Sequence, residues 1–343
     1  MAKKIRMGIL GCGAIGALHA RAMRKVEAVK LVAVADAIPG YAHAFADLNK
    51  LHAFDSFAAM LASNKIDAVV ICTPSGTHAE LGIAAAKAGK HVLVEKPMDL
   101  FVEKIDQLIT ACNENRVKLG GIFQNRFPAS IQQVKQVIED GYLGEIVYGE
   151  ASCMWYRPQS YYDSAAWRGT WETDGGVLAN QCIHTIDRLL WLTDMMPKVL
   201  AAYCPTLQRQ MEAEDLGLAL LKFPNGAGGV IKGTTLANPG FPATIVLCGT
   251  LGSITIRHNY QIEMHVAGLP DDYIAIPEST TSAGGVSDPM AISEQDHTAN
   301  IAEFAAAVLE DREPIVNGAE ARKAVQLLNE IYRAAGVGPW GKR

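Results

Sequence analysis

The stretch DGGVLANQCIHTIDRLLWL, residues 174–192, combines side chains that can move or guide a proton. It reads as a helix, with a DGG turn followed by Leu178, Cys182, Ile186 and Leu189 along one side. Asn180, His184, Asp187 and Trp191 fall at helical steps on the other side, so an amide, an imidazole and a carboxylate share a direction. A solvated face would more usually carry Lys and Glu. The ordinary pKa of an imidazole suits acid–base work near neutral pH, which makes His184 the candidate; an ordinary buried histidine is the alternative. Asn180 cannot titrate but both donates and accepts, which suits orienting a hydroxyl or the imidazole. Asp187 either holds the imidazole tautomer from behind or makes a structural pairing near Arg188.

What such a stripe would act on is suggested upstream. GCGAIG, residues 11–16, follows the strand-like MGIL and opens a helix. Gly11 permits a tight turn, Gly13 lets the backbone reach a pyrophosphate, and Gly16 lets helix and strand approach closely. Ala14 and Ile15 lie in the first helical turn, whose unpaired N–H groups and positive dipole end suit phosphates. Asp36 ends the second strand, where a carboxylate binds adenosine ribose hydroxyls. Ala37 and Ile38 follow it, with no Arg or Ser to hold a 2′-phosphate, so NAD is expected rather than NADP. A glycine-rich turn without a nucleotide, and a plain strand-end carboxylate, are the alternatives. CTPSGTH, residues 72–78, ends another strand; Thr73, Pro74 and Ser75 are placed on the cofactor, and His78 either joins them or starts a helix.

VLVEKP then delivers Glu95, Lys96 and Pro97 to the same C-terminal edge of the sheet. Partial desolvation beside a positively charged nicotinamide ring would lower the lysine pKa, letting the amine exchange a proton with a substrate hydroxyl. Pro97 restrains the turn and can be cis. A solvated lysine after a strand is the bland alternative.

A third group, Tyr156, Arg157, Tyr161, Tyr162, Trp167 and Arg168, supplies flat surfaces and forked donors for a hydroxylated ring. Arg157 or Arg168 could instead grip a carboxylate or diphosphate bidentately, although aromatic clusters are often packing alone. Gln124, Asn125, Arg126 and His297 are further candidates. No basic diphosphate clamp is evident along the chain, which favours a free sugar over a nucleotide sugar.

The elements that must position these residues are legible as patterns. The first third alternates β-branched runs (IRMGIL, KLVAVAD, DAVVICT, HVLVEKP, KLGGIF) with Ala-rich helical runs, the signature of βαβ units in a doubly wound parallel sheet. After Phe127 come a helix near 131–140, the strand VYGEASCMWY, the 177–192 helix, and then six strands from VLAAYCPTL to QIEMHVAG. PNG and TLGS are hairpin turns, so this second sheet is expected to be mostly antiparallel. ESTTSAGGVSDP reads as a mobile loop, and two helices close the chain, the second capped by Asn317 and ending before Gly336. The fold class is α/β followed by α+β, with domains at 1–124 and 125–343 and a C-terminal helix able to pack back on the first.

Composition narrows the function. A chain of 343 residues accommodates two domains, and a net charge of −5 without a basic block opposes nucleic-acid or anionic-membrane partners. Seven scattered cysteines without a CxxC pair suggest reduced thiols, not a disulfide framework or metal site. With no apolar signal core or spanning run, the expectation is a cytoplasmic protein.

GCGAIG, Asp36, CTPSGTH, VEKP and His184 together resemble the Gfo/Idh/MocA family of dehydrogenases across essentially the whole chain. The resemblance implies a Rossmann domain, then an α/β domain with an open sheet often used to form homodimers or homotetramers. It implies hydride transfer between NAD(H) and one carbinol of a sugar, sugar nucleotide or cyclitol, with Lys96 and His184 handling the hydroxyl proton, facing each other across the domain cleft. Many members carry aspartate where Asn180 stands; QNRF, WYRPQSYYD, WRGTW and NQCIH instead resemble the subgroup of levoglucosan-type sugar 3-dehydrogenases and uronic-acid nucleotide-sugar 3-dehydrogenases. That likeness places Glu95, Asn125, Trp167 and Arg168 near the cofactor or substrate, with C3 of a glucose-like ring as the expected reacting carbon. A non-catalytic NAD- or sugar-sensing regulator is the non-enzyme alternative; retention of Lys96 and His184 opposes it.

Overall fold

Five of the six residues of β1 (Ile5–Leu10) are buried, as a strand covered on both faces requires. The computed structural model describes residues 3–257, 260–270 and 294–341. Two units emerge: Met1–Gln124 with Glu294–Arg322, and Asn125–Ser293 with Lys323–Arg343. In the first, β1, β2 (Val29–Ala35), β3 (His52–Phe54), β4 (Ala68–Ile71), β5 (His91–Val94) and β6 (Leu119–Gly121) pair in parallel in the order β3-β2-β1-β4-β5-β6. The order reverses between β1 and β4, and the loops leaving those two strands are GCGAIG and CTPSGTH. Open α/β sheets bind their ligands at such a switch point. The intervening helices are α1 (Ala14–Arg24), α2 (Pro39–Asn49), α3 (Phe57–Ala62), α4 (His78–Lys87) and α5 (Val102–Glu114).

The second unit begins with α6 (Ala129–Glu139), β7 (Ile146–Met154) and α7 (Gln159–Asp163). Next come α8 (Val177–Asn180), α9 (Ile183–Thr193), β8 (Lys198–Tyr203), β9 (Leu216–Lys222), β10 (Gly228–Thr234), β11 (Thr244–Gly249), β12 (Gly252–Arg257) and β13 (Ile262–Val266). The sheet order is β13-β12-β11-β7-β10-β9-β8; β7 and β10 run parallel and the other neighbours antiparallel. PNG turns β9 into β10 with Gly226 at φ 92°, and Gly249 pairs with Gly252 across the β11–β12 hairpin. One face of the sheet receives α8 and α9: a Cβ at Gly233 would lie 2.3 Å from Cys182 Sγ, so only glycine seats the helix there. On the sheet, Val147, Leu200, Leu218 and Leu220 are exposed in the single chain.

Residues 294–322 belong to the first unit. They supply α10 (Glu294–Leu309) and the start of α11 (Gly318–Ala335), and Ile301, Phe304 and Ala305 of α10 complete the core around Met7, Ile9 and Val34. Asn317 Oδ1 accepts the Glu320 N–H at 3.0 Å, the cap expected from sequence. Three features depart from the sequence patterns. β3 and α7 are additional, and the 174–192 segment is not one helix. The Cys182 N–H bonds back five residues to the Val177 carbonyl, which breaks the run between α8 and α9. ESTTSAGGVSDP lies outside the described residues.

Candidate functional site

The glycines of GCGAIG stand in three different surroundings. Gly11 has φ 99°, and a Cβ there would meet the Cys72 carbonyl oxygen at 2.6 Å. A Cβ at Gly16 would lie 2.2 Å from the Gly11 carbonyl oxygen, so helix and turn touch backbone to backbone. At Gly13 nothing stands within 4 Å, leaving the backbone open to a phosphate, and α1 begins there without a side-chain cap. Asp36 accepts the N–H of Cys12 at 2.8 Å and that of Ile38 at 2.9 Å, which fixes its carboxylate beside the loop with lone pairs left for ribose hydroxyls. This donor set fits a dinucleotide.

CTPSGTH and the EKP turn are tied together by His78. Its Nδ1 lies 2.8 Å from the Pro97 carbonyl oxygen and its Nε2 2.8 Å from that of Thr73. Only 1% exposed, His78 spans two loops; this packing role is one of the two readings its sequence position allows. Thr73 and Thr77 share a hydroxyl contact of 2.8 Å, and Ser75 is buried in the same turn. The Lys96–Pro97 peptide is cis. Beneath it Asp99 accepts the N–H groups of Ala79, Leu100 and Phe101; burial pushes its carboxyl up. Glu95 is buried, its Oε1 2.7 Å from His19 Nε2 and its Oε2 accepting the Lys96 N–H at 3.0 Å. Burial alone would raise its carboxyl, but the His19 hydrogen bond and the charges at His19, His297 and Lys96 hold it far below the usual range.

In the second unit the polar stripe is re-sorted by the break between α8 and α9. Asn180 Nδ2 donates to Asp174 Oδ1, and Gln181 Nε2 donates to Asn180 Oδ1 at 3.1 Å. Asp174 is buried and also accepts the Gly169 N–H at 2.8 Å. His184 is half-buried at the first turn of α9. Asp187 faces Arg126: two bonds of 2.9 and 2.6 Å join the buried pair, with the guanidinium 5.7 Å above the Trp191 ring. Asp187 thus has a structural pairing, with Arg126 as its partner, and Arg126, a candidate ligand group in the sequence, is engaged inside the fold.

Sequence reasoning missed Glu214. Its Oε1 accepts the Leu178 N–H at 2.9 Å and the Tyr332 hydroxyl at 2.8 Å, and its backbone carbonyl accepts the Val177 N–H at 2.9 Å. It therefore anchors the start of α8, while Asp174 holds its end. Burial pushes the Glu214 carboxyl up to about 8 against those hydrogen bonds. No local pattern announces it, because its partners lie 36 and 118 residues away.

The aromatic and arginine residues do gather. Arg168 stacks 4.2 Å from the Tyr161 ring and 4.5 Å from Trp167, and donates to the Tyr161 hydroxyl at 2.6 Å. Arg157 lies 5.1 Å from the Trp155 ring and 5.8 Å from Tyr161, and Arg209, absent from the sequence candidates, 5.5 Å from Tyr156. Among the described residues no carboxylate pairs with Arg168 or Arg209. Tyr162 is buried, bonded to Thr235 at 3.1 Å, so it packs. Asn125 accepts the Tyr260 hydroxyl at 3.2 Å. No helix among the described residues is long and apolar enough to cross a membrane.

Residues 5–122 match the oxidoreductase family with an NAD-binding Rossmann fold, and residues 131–255 match the GFO/IDH/MocA C-terminal domain. Inositol 2-dehydrogenase of Rhizobium meliloti (strain 1021) is 30% identical over 267 residues, 77% of this chain and 78% of its own. The WlbA dehydrogenase of Bordetella pertussis, solved with NADH and UDP-GlcNAcA, superimposes with a TM-score of 0.90 at 35% identity, covering 98% of this chain and 96% of that one. Levoglucosan dehydrogenase, solved with NADH and levoglucosan, has a TM-score of 0.84 at 21% identity over 97% of each chain, a likeness of fold alone. With both of its domains matched, the chain belongs to the Gfo/Idh/MocA family of NAD-dependent oxidoreductases.

Proposed function

We propose that the chain oxidises a ring carbinol of a nucleotide sugar bearing a uronic acid, at C3, with NAD as hydride acceptor. The supporting observation is the cluster of Arg157, Arg168 and Arg209 stacked around Tyr156 and Tyr161, with Arg168 and Arg209 lacking carboxylate partners among the described residues. Forked guanidinium donors suit carboxylate and phosphate oxygens. The linear sequence favoured a free sugar because no basic clamp was evident; Arg209, some 40 residues beyond Arg168, changes that balance. The similar WlbA dehydrogenase was solved with UDP-GlcNAcA, a ligand with both anionic groups.

In this reading bound NAD supplies the electrophilic nicotinamide carbon that receives the hydride. Lys96 and His184 handle the hydroxyl proton, one of them accepting it as the C–O double bond forms while the other hydrogen-bonds the oxygen, which stays on the ring. Asn180, held by Asp174 and Gln181, orients the hydroxyl without titrating. Asp36 repels a 2′-phosphate, which favours NAD over NADP.

A free sugar or cyclitol is the second reading, favoured by the inositol 2-dehydrogenase relative. Initial rates of NAD reduction on UDP-N-acetylglucosaminuronate, UDP-glucuronate, glucose, levoglucosan and inositols separate the two. The proposal expects the highest kcat/KM on a nucleotide uronate. A higher value on any uncharged sugar or cyclitol would overturn it, and tight NAD binding without turnover on any would favour a sensing role.

A further inference from the structure

One buried ionisable cluster in the first unit has no part in the proposed chemistry: His19 on α1, Glu95 after β5, and His297 on α10. His19 Nε2 lies 2.7 Å from Glu95 Oε1, and His297 Nε2 lies 3.8 Å from the same oxygen. The two rings meet edge to face, with centroids 5.5 Å apart. His19, Glu95 and His297 are all buried, a costly place for a carboxylate unless it is well held.

The arrangement specifies what holds what. His19 Nδ1 is buried with no hydrogen-bond partner, so the ring's proton belongs on Nε2, facing the carboxylate. Glu95 Oε1 is thereby engaged, and Oε2 turns to the next peptide, accepting the Lys96 N–H at 3.0 Å. Donor atoms of the three residues lie within 4.8 Å of one another, a spacing a cation could use. The 2.7 Å contact nevertheless has the length of a charge-assisted hydrogen bond, whereas two ligands of one tetrahedral ion at ordinary bond lengths stand about 3.3 Å apart.

We propose that Glu95 is the positioning residue for Lys96: its carboxylate, hydrogen-bonded to His19 with His297 3.8 Å away, fixes the lysine's backbone and carries a negative charge on the residue next to it in sequence. The groups facing that charge are His19 from α1, His297 from α10, Lys96 from its own turn, and Cys72 at the end of β4. Burial, with the Glu95 charge, pushes the Cys72 thiol well up, so it adds no competing anion. An anion beside an amine favours the ammonium form. On this proposal the Glu95 charge favours the protonated amine of the half-buried Lys96 and opposes the effect of its partial desolvation.

The proposal rests on Lys96 handling the substrate proton, and its test is read without substrate so that the two can fail separately. Lysines of the full chain are reductively methylated with isotope-labelled methyl groups, the Lys96 signal is assigned by its loss in Lys96→Arg, and its titration is followed by NMR. In Glu95→Gln, which keeps size and hydrogen-bonding capacity, the Lys96 midpoint is expected to fall by about one pH unit or more, with the other lysine signals unchanged. His19→Gln, which can still donate to the carboxylate, is expected to leave the midpoint near the wild-type value, whereas His19→Leu lowers its sharpness and disorders the Lys96 signal. An unchanged midpoint in Glu95→Gln would overturn the proposal, as would a stoichiometric metal ion in the purified protein that Glu95→Gln loses. Absence of turnover in the wild type would count against the dehydrogenase reading alone.

Discussion

Asn180 donates a side-chain hydrogen to the buried carboxylate of Asp174, six residues earlier in the chain. A carboxylate therefore stands one hydrogen bond behind the amide, and the Gln181 bond to Asn180 Oδ1 fixes which way that amide faces. Asn180→Asp would set two carboxylates against each other, and like charges at that range cannot both ionise. Either single variant, Asn180→Asp or Asp174→Asn, is expected to lose at least about tenfold in kcat, roughly 1.4 kcal/mol. The double variant that exchanges the two residues restores one carboxylate and one amide and is expected to recover most of the loss. Steady-state kinetics on the four proteins checks this; a double variant no better than the worse single one would show that the pair does not act as a unit.

Lys96→Ala removes the amine while leaving Gly11–Gly16 and Asp36 untouched. Turnover is expected to vanish while NAD affinity, measured by calorimetry, stays within a few-fold of wild type. Near wild-type activity would refute the role given to the amine.

Glu214 links stability to pH. Its folded carboxyl titrates at about 8, above the ordinary 4.5, so the folded chain binds a proton that the unfolded chain has lost between those values. By linkage the corresponding stability is full below about pH 4.5 and declines as pH rises through about 8. Glu214→Gln cannot ionise, so its melting temperature is expected to fall less between pH 6 and pH 9 than that of wild type. Parallel melting curves for the two proteins would contradict this.

The arginine cluster makes a substrate-side prediction. Removing a hydrogen bond to a charged group costs about 1.5–3 kcal/mol. Arg168→Ala and Arg209→Ala are each expected to raise KM for a nucleotide uronate by roughly tenfold or more, with NAD affinity unchanged. Equal losses on glucose and on the nucleotide uronate would mean that the arginines only pack against their tyrosines.

Legibility from sequence followed the range of the interactions. Strand-plus-glycine motifs such as MGIL-GCGAIG are local, so β1, α1 and β2 with Asp36 just after it were readable in order. β3 escaped because HAF is three residues long, and α7 because PQSYYD carries no apolar period. The break between α8 and α9 escaped because it depends on the bond from Cys182 back to Val177, which leaves no trace in residue type. Asp187 was legible as a helical carboxylate, but its partner Arg126 lies 61 residues earlier, and pairing at that distance belongs to the fold. Glu214 and His19, which hold α8 and Glu95, are single residues in otherwise ordinary elements.

The most direct measurement follows the hydride itself. UDP-N-acetylglucosaminuronate deuterated at C3 is incubated with the protein and NAD, and the reduced cofactor is isolated and examined by mass spectrometry and NMR. The account expects deuterium at nicotinamide C4 and a keto group at C3 of the sugar. Reduced cofactor formed without deuterium, or a product oxidised at another carbon, would contradict it.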